Sequence, residues 1–148
     1  MSLYKQIVVA VDFSPSSVQA IMRARALAQA ESSHLTLIHT VEAPTYPVLE
    51  DIAVTGMPGI WDDEITTGWV KRSDEKLSEL ATRYKADSFR TLIGYPASEI
   101  LAFAEQSSAD LIVMGYHGTS GWRRLIGSTT NAVIHDSKCD VLAVKTDS

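Results

Sequence analysis

The sequence predicts an α/β protein in which helices cover both faces of a parallel sheet. Short apolar runs rich in β-branched residues alternate with longer segments of helical periodicity along the chain. The runs lack the polar alternation of a strand with one wet face, so each predicts a strand that is buried on both faces. Such strand–helix alternation is typical of parallel sheets whose strands are joined by right-handed crossovers.

The apolar runs define the strands, of which the first, within QIVVAV, and the second, LTLIHTV, are the clearest. The predicted strands are residues 6–11, 35–41, 88–93, 111–114 and 141–145. Because the last run is expected at the edge of the sheet, its unpaired backbone groups could pair with another chain.

The helices are predicted from local start signals and from apolar stripes. Ser14 is the expected N-cap of the first helix and Pro15 its first residue. The predicted helices are residues 15–30, 61–84, 97–107 and 128–135. The apolar face of the first helix is supplied by Val18, Ile21, Met22, Ala24, Leu27 and Ala28, and one side of the second carries Ile65, Trp69, Val70, Leu77, Leu80 and Ala81.

Composition narrows the class of protein. The 148 residues, 45% of them hydrophobic, suit one domain spanning residues 1–148. A net charge of −5 disfavours a nucleic-acid-binding surface. Cys139, the one cysteine, cannot form an internal disulfide and is expected to be a small buried hydrophobe. The N-terminal run is too short for a signal peptide or membrane span, so we expect a cytosolic protein without membrane contact.

Residues 111–128, LIVMGYHGTSGWRRLIGS, join the fourth strand to the last helix through a loop punctuated by glycines. Glycines let backbone N–H groups approach a ligand closely, and a helix N-terminus presents unpaired N–H groups with partial positive charge. This stretch therefore predicts an anion-binding site. A second long irregular segment, residues 42–59, contains three prolines and two glycines and is expected to be functional or mobile.

Familiar catalytic and cofactor motifs are missing from the sequence. It contains neither the P-loop pattern, nor G-x-G-x-x-G after the first strand, nor a G-x-S-x-G nucleophile elbow. The four histidines, at positions 34, 39, 117 and 135, are scattered and lack zinc-ligand spacing, so no metal site is predicted. The acidic triplet at residues 62–64 is interpreted as a solvated helix start.

The remaining motifs resemble the universal stress protein family. The adenine-nucleotide-binding branch of that family carries G-x2-G-x9-G-[ST] after the fourth strand, and here GYHG and the later GS match its two ends. VVAVDFSPSS, LIHTVE, GYPASEIL and CDVLAVK match the family elsewhere and in the same order. The resemblance implies a three-layer α/β/α, Rossmann-like fold of the adenine nucleotide α-hydrolase-like type, with a five-stranded parallel sheet in the order 3-2-1-4-5.

The resemblance also implies an adenine-nucleotide site, with ATP or AMP as ligand and Mg²⁺ accompanying a triphosphate. Asp12 would meet the ribose, the second strand's end the adenine, and the glycine motif the phosphates. The implied residues are Ala10, Val11, Asp12, Thr40, Val41, Met114, Gly115, His117, Gly118, Gly127, Ser128 and Thr129. Four of them have competing structural interpretations. Asp12 could only cap the first helix, Thr40 and Val41 could only pack at the end of the second strand, and Ser128 could be an N-cap with Asn131 three residues on.

One departure from the family pattern leaves a second function open. Eight residues, 119–126, separate the glycines where the nucleotide-binding pattern has nine. The loss of one residue shortens the reach of a loop by roughly 3.3–3.6 Å. The alternative is a nucleotide-free scaffold that dimerises through the edge strand at residues 140–145. The sequence places no general base or nucleophile beside the expected phosphates, so an enzyme is not predicted, although slow ATP hydrolysis stays open. An α-hydrolase-type enzyme is disfavoured because no glycine-rich loop follows the first strand.

Overall fold

The computed structural model describes residues 2–42, 63–117 and 125–146. Strands and helices alternate through these ranges, in agreement with the predicted order. The strands are β1 (Gln6–Ala10), β2 (His34–Val41), β3 (Ser88–Ile93), β4 (Leu111–Gly115) and β5 (Asp140–Val144). The helices are α1 (Pro15–Glu31), α2 (Asp63–Tyr84), α3 (Pro96–Gln106) and α4 (Ser128–Asp136).

The strands form one parallel sheet in the order β3-β2-β1-β4-β5, which confirms the predicted fold. Val9 of β1 pairs with Leu37 of β2 on one side and with Val113 of β4 on the other. The chain leaves β1 towards β2 and later returns to the opposite side of β1. The strand order therefore reverses between β1 and β4, and a ligand crevice is expected beyond the carboxyl ends of these strands.

Two apolar layers explain why the strands are continuous hydrophobic runs. Successive side chains of a strand point to opposite faces, so Val9 packs beneath α1 and α2 whereas Val8 packs beneath α3 and α4. Ile21 and Leu77 complete the first layer, and Ile100 completes the second. Central strands that are covered on both faces have no solvent-facing position for a polar side chain.

The start of α1 follows the sequence prediction closely. Ser14 is the N-cap, its hydroxyl accepting from the Ser17 N–H at 3.2 Å, and Pro15 occupies the first turn. Ser32 ends the helix in the left-handed conformation. These signals are local, which is why the sequence reveals them.

The predicted apolar helix faces are only partly covered. Met22, Ile65 and Trp69 are exposed by 49%, 37% and 40%, because periodicity predicts a stripe but not how far the neighbouring layer covers it. Cys139 is half-buried, since it lies before the edge strand β5. The described element bounds differ from the predicted ones by at most one residue wherever both ends are described. The predicted start of the second helix at residue 61 and most of the 42–59 segment lie outside the described residues.

Candidate functional site

A cavity of about 400 Å³ opens at the carboxyl ends of β1, β2 and β4, between the starts of α3 and α4. Its size is within the range of small-molecule sites. Most of the site residues implied by the sequence line it. They are Ala10, Val11, Asp12, Thr40, Met114, Gly115, His117, Gly127, Ser128 and Thr129.

Gly115 lets α1 approach the end of β4 closely. A Cβ at this position would lie 3.0 Å from the Ser16 Cβ and 3.1 Å from its carbonyl carbon, and it would overlap the Ser16 hydroxyl. The Gly115 carbonyl accepts a hydrogen bond from the buried Thr130 hydroxyl at 2.8 Å. Gly115 therefore joins α1, β4 and α4 at the mouth of the cavity.

The two ends of the glycine-rich loop are held together by backbone hydrogen bonds. The Gly127 N–H donates to the Tyr116 carbonyl at 2.8 Å, and the Tyr116 N–H donates to the Val144 carbonyl of β5 at 2.8 Å. These contacts place the start of α4 beside the end of β4. Gly118 and residues 119–124 lie outside the described residues, whereas residues 125–146 are described.

Helix α4 presents its N-terminus to the cavity. Gly127 is the N-cap, with φ −61° and ψ 146°, and no side chain caps the helix. The alternative in which Ser128 caps the helix is wrong, because Ser128 is already helical and the Asn131 N–H bonds to the Gly127 carbonyl. The first-turn N–H groups beside Ser128 and Thr129 therefore have no intrahelical acceptors, a geometry that suits a phosphate.

Asp12 supports the turn before α1 and still faces the cavity. Its Oδ1 accepts from the Ser14 N–H at 3.0 Å and from the Ser14 hydroxyl. Asp12 is not the helix cap itself, since Ser14 has that position. Its Oδ2 accepts no hydrogen bond from any described residue, which leaves one carboxylate oxygen for a ligand hydroxyl.

The Universal stress protein family model matches residues 3–145. The chain belongs to the universal stress protein family. It is 35% identical over 144 residues to universal stress protein A homolog 1 of Coxiella burnetii (strain RSA 493 / Nine Mile phase I), covering 95% of this chain and 96% of that protein.

Two solved structures extend the comparison. Hypothetical protein MJ0577 matches with a TM-score of 0.81 and 24% identity over 99% of each chain, which supports the fold. A universal stress protein in complex with cAMP matches with a TM-score of 0.63 and 27% identity, covering 97% of this chain and 98% of that chain. The family and fold implied by the sequence motifs are thus confirmed.

In this universal stress protein, Thr40 and Val41, the last two residues of β2, differ in their position relative to the cavity. Thr40 lines the cavity, and its hydroxyl is buried without a hydrogen-bond partner among the described residues. Val41 is buried but does not line this cavity among the described residues.

His39 lines the cavity, although the sequence indicated no role for it. Its Nδ1 lies 2.6 Å from the Val11 carbonyl, and its ring centroid lies 4.4 Å from that of Phe13. Burial lowers the pKa of His39, against the opposing effects of the Val11 carbonyl and Asp12. Because a carbonyl only accepts, Nδ1 carries the proton of the neutral ring.

The cavity has further walls beyond the site residues that the family resemblance implied. They come from residues close together only in the fold, and they add apolar surface, two hydroxyls and one carboxylate. These residues are Ser17, Ile38, Glu42, Pro96, Ile100 and Thr130. All of them but Thr130 lie within the family motifs VVAVDFSPSS, LIHTVE and GYPASEIL, although those motifs alone gave them no role in the site.

The described ranges contain no group of three metal-ligating His, Cys, Asp or Glu side chains. No helix within the same ranges is long and apolar enough to cross a membrane.

Proposed function

We propose that this universal stress protein binds an adenine nucleotide in the cavity at the carboxyl ends of β1, β2 and β4. One observation carries the proposal: the uncapped N-terminus of α4 and the free oxygen of Asp12 border the same cavity. The first suits a phosphate and the second a ribose hydroxyl. The universal stress protein solved in complex with cAMP, at 27% identity, supports an adenine nucleotide.

Each part of the nucleotide has a partner in the proposed complex. Asp12 accepts from the ribose, and the unpartnered Thr40 hydroxyl bonds to the adenine. Met114 and Ile100 provide apolar surface for the base. The phosphates bind first-turn N–H groups of α4, at Ser128 and Thr129, while Ala10, Val11, Gly115, His117, Gly118 and Gly127 complete the proposed site, with Val41 beside it.

Phosphate binding in the proposed complex relies on the backbone. No lysine or arginine is among the described residues that line the cavity, and Asp12 and Glu42 are acidic. One helix N-terminus compensates about half an elementary charge. We propose AMP or ATP as the ligand, with Mg²⁺ accompanying ATP, and a regulatory role without rapid catalysis. We further propose that residues 1–148 form one cytosolic domain.

Calorimetric titration with AMP, and with ATP in the presence and absence of Mg²⁺, tests the proposal. Asp12→Asn replaces the free acceptor with a donor and should weaken binding about tenfold, the equivalent of one lost hydrogen bond to a charged group. Asp136→Asn, at the far end of α4, is the matched control and should bind as the wild type does. The proposal would be refuted if heat denaturation released no nucleotide and if no binding were detected at millimolar nucleotide concentration.

A nucleotide-free dimeric scaffold is the second candidate function. Its supporting observation is that β5 pairs only with β4 among the described strands, which leaves its outer edge open to a second copy. In light scattering, Leu142→Pro should shift a dimer towards monomer. Ala143→Lys keeps the backbone N–H and should have the same effect, because the new lysines of the two copies would repel each other where the two β5 strands meet. A dimer that persists in folded Ala143→Lys would exclude this interface.

A further inference from the structure

A second cavity, of about 240 Å³, lies at the same end of the sheet beside α2. One stripe of α2, at the spacing i, i+3, i+4, i+7, forms a wall and consists of Trp69, Arg72, Ser73 and Lys76. Phe13 and Val41 lie among the other lining residues. The cavity therefore combines aromatic surface with two cationic side chains.

Among the described residues, the cationic side chains of this cavity have no partner of opposite charge. No described carboxylate lies within 4.0 Å of the Arg72 or Lys76 nitrogens, whereas Arg83 on the same helix pairs with Glu79 at 3.0 Å. The Lys76 Nζ lies 5.0 Å from the centre of the Phe13 ring. Positive charge beside the Phe13 ring is thus available to a ligand.

Two polar groups of β2 also border the second cavity. Thr40 is 8% exposed, and its buried hydroxyl has no hydrogen-bond partner among the described residues. His39 uses Nδ1 on the Val11 carbonyl, which leaves Nε2 as the acceptor of the neutral ring. Glu42 is the acidic residue among the described lining, and it disfavours an anion placed near the end of β2.

We propose that this cavity binds a small aromatic anion, a single planar ring that carries a carboxylate. The ring packs against Trp69 and Phe13, and the carboxylate lies between Arg72 and Lys76, away from Glu42. Arginine is suited to bidentate recognition of a planar carboxylate, and aromatic pairs stack favourably. The volume is below that of common drug-sized sites, which favours one ring over a complete nucleotide.

The second site is separate from the proposed nucleotide site. The nucleotide cavity borders the layer of α3 and α4, whereas Trp69, Arg72 and Lys76 belong to α2 on the opposite layer. His39, Thr40 and Glu42 line both cavities, at the end of the strand between them. Binding of an aromatic anion therefore does not require that the nucleotide proposal be correct.

Benzoate is the probe, and benzamide is its neutral isostere. In a ¹H–¹⁵N NMR titration of the full chain, benzoate should shift the Trp69 indole and amides of α2, and benzamide should bind at least about fivefold more weakly. Shifts confined to Ser128–Asp136 would place benzoate in the nucleotide cavity and overturn the proposal. The absence of shifts at 20 mM benzoate would also overturn it.

Charge-neutralising variants distinguish specific binding of benzoate at Arg72 and Lys76 from a general attraction of benzoate to the positive charge of α2. Arg72→Gln with Lys76→Gln should weaken benzoate binding about tenfold, because two exposed charges are removed from the cavity. Lys71→Gln with Arg83→Gln removes the same charge from α2 outside this cavity and should leave the affinity within about twofold. Equal losses in the two double variants would show an attraction to net charge alone and would contradict the proposal.

Discussion

Gly115 offers the sharpest test of how the mouth of the nucleotide cavity is packed. The change Gly115→Ala introduces a Cβ 3.0 Å from the Ser16 Cβ and 3.1 Å from the Ser16 carbonyl carbon. Both distances are shorter than ordinary van der Waals contact, and the Ser16 backbone, unlike the end of a flexible side chain, cannot rotate away from the new methyl group. Overpacking of this kind costs about 1–3 kcal/mol, and reduced entropy of the unfolded chain returns about 0.4–1 kcal/mol. We expect a net loss of about 1–2 kcal/mol of unfolding free energy.

Gly68→Ala is the matched control for this substitution. Gly68 is an exposed residue within α2, and a Cβ there would meet nothing within 4 Å. The same chemical change should therefore stabilise the protein by about 0.5–1 kcal/mol, because alanine favours a helix more than glycine does. Urea denaturation of both variants measures the difference in sign.

Ser16→Ala identifies the atoms responsible. The Ser16 hydroxyl is buried and has no hydrogen-bond partner among the described residues, so its removal alone should stabilise the protein by about 1 kcal/mol. In the Ser16→Ala background the penalty of Gly115→Ala should fall by at least about 0.5 kcal/mol but persist, since the Ser16 Cβ and backbone remain. A stabilising Gly115→Ala, or additive effects of the two substitutions, would refute the packing argument.

Two further predictions concern the cavity walls. Because burial lowers the pKa of His39, the unfolded chain binds a proton at higher pH than the folded protein does, so stability should fall as pH drops through about 6.5. His39→Asn can still donate to the Val11 carbonyl and should reduce this loss in urea denaturation at pH 7.5 and 5.5; an unchanged pH dependence would contradict the assignment. Thr130→Val removes the hydrogen bond to the Gly115 carbonyl and should lower the free energy of unfolding by about 1–3 kcal/mol. The control Thr129→Val, at the neighbouring residue, should change that free energy by less than about 0.5 kcal/mol. Equal effects of the two substitutions would argue against this hydrogen bond.

The correct parts of the sequence prediction rest on local information, whereas its gaps concern contacts between residues that are far apart in the chain. Ser14 and Pro15 mark the start of α1 through groups within a few residues of each other, and the structure confirms both. Ser128 was ambiguous because a serine at a helix start can be either N-cap or first residue, and backbone dihedrals decide in favour of Gly127. Met22 and Trp69 belong to predicted apolar faces and are nevertheless exposed, because the extent of the covering layer is a property of packing.

By itself, the sequence determined the alternating elements, the buried parallel strands and, through its motifs, the family. These follow from hydrophobic period, capping residues and short-range spacing, which act along the chain. Only the tertiary structure decided that Asp12, Thr40 and the start of α4 line one cavity, and that His39 and Thr40 border a second one beside Arg72 and Lys76. The physical reason is that a strand's pairing partners set which side chains meet, and pairing joins residues that are far apart in the chain.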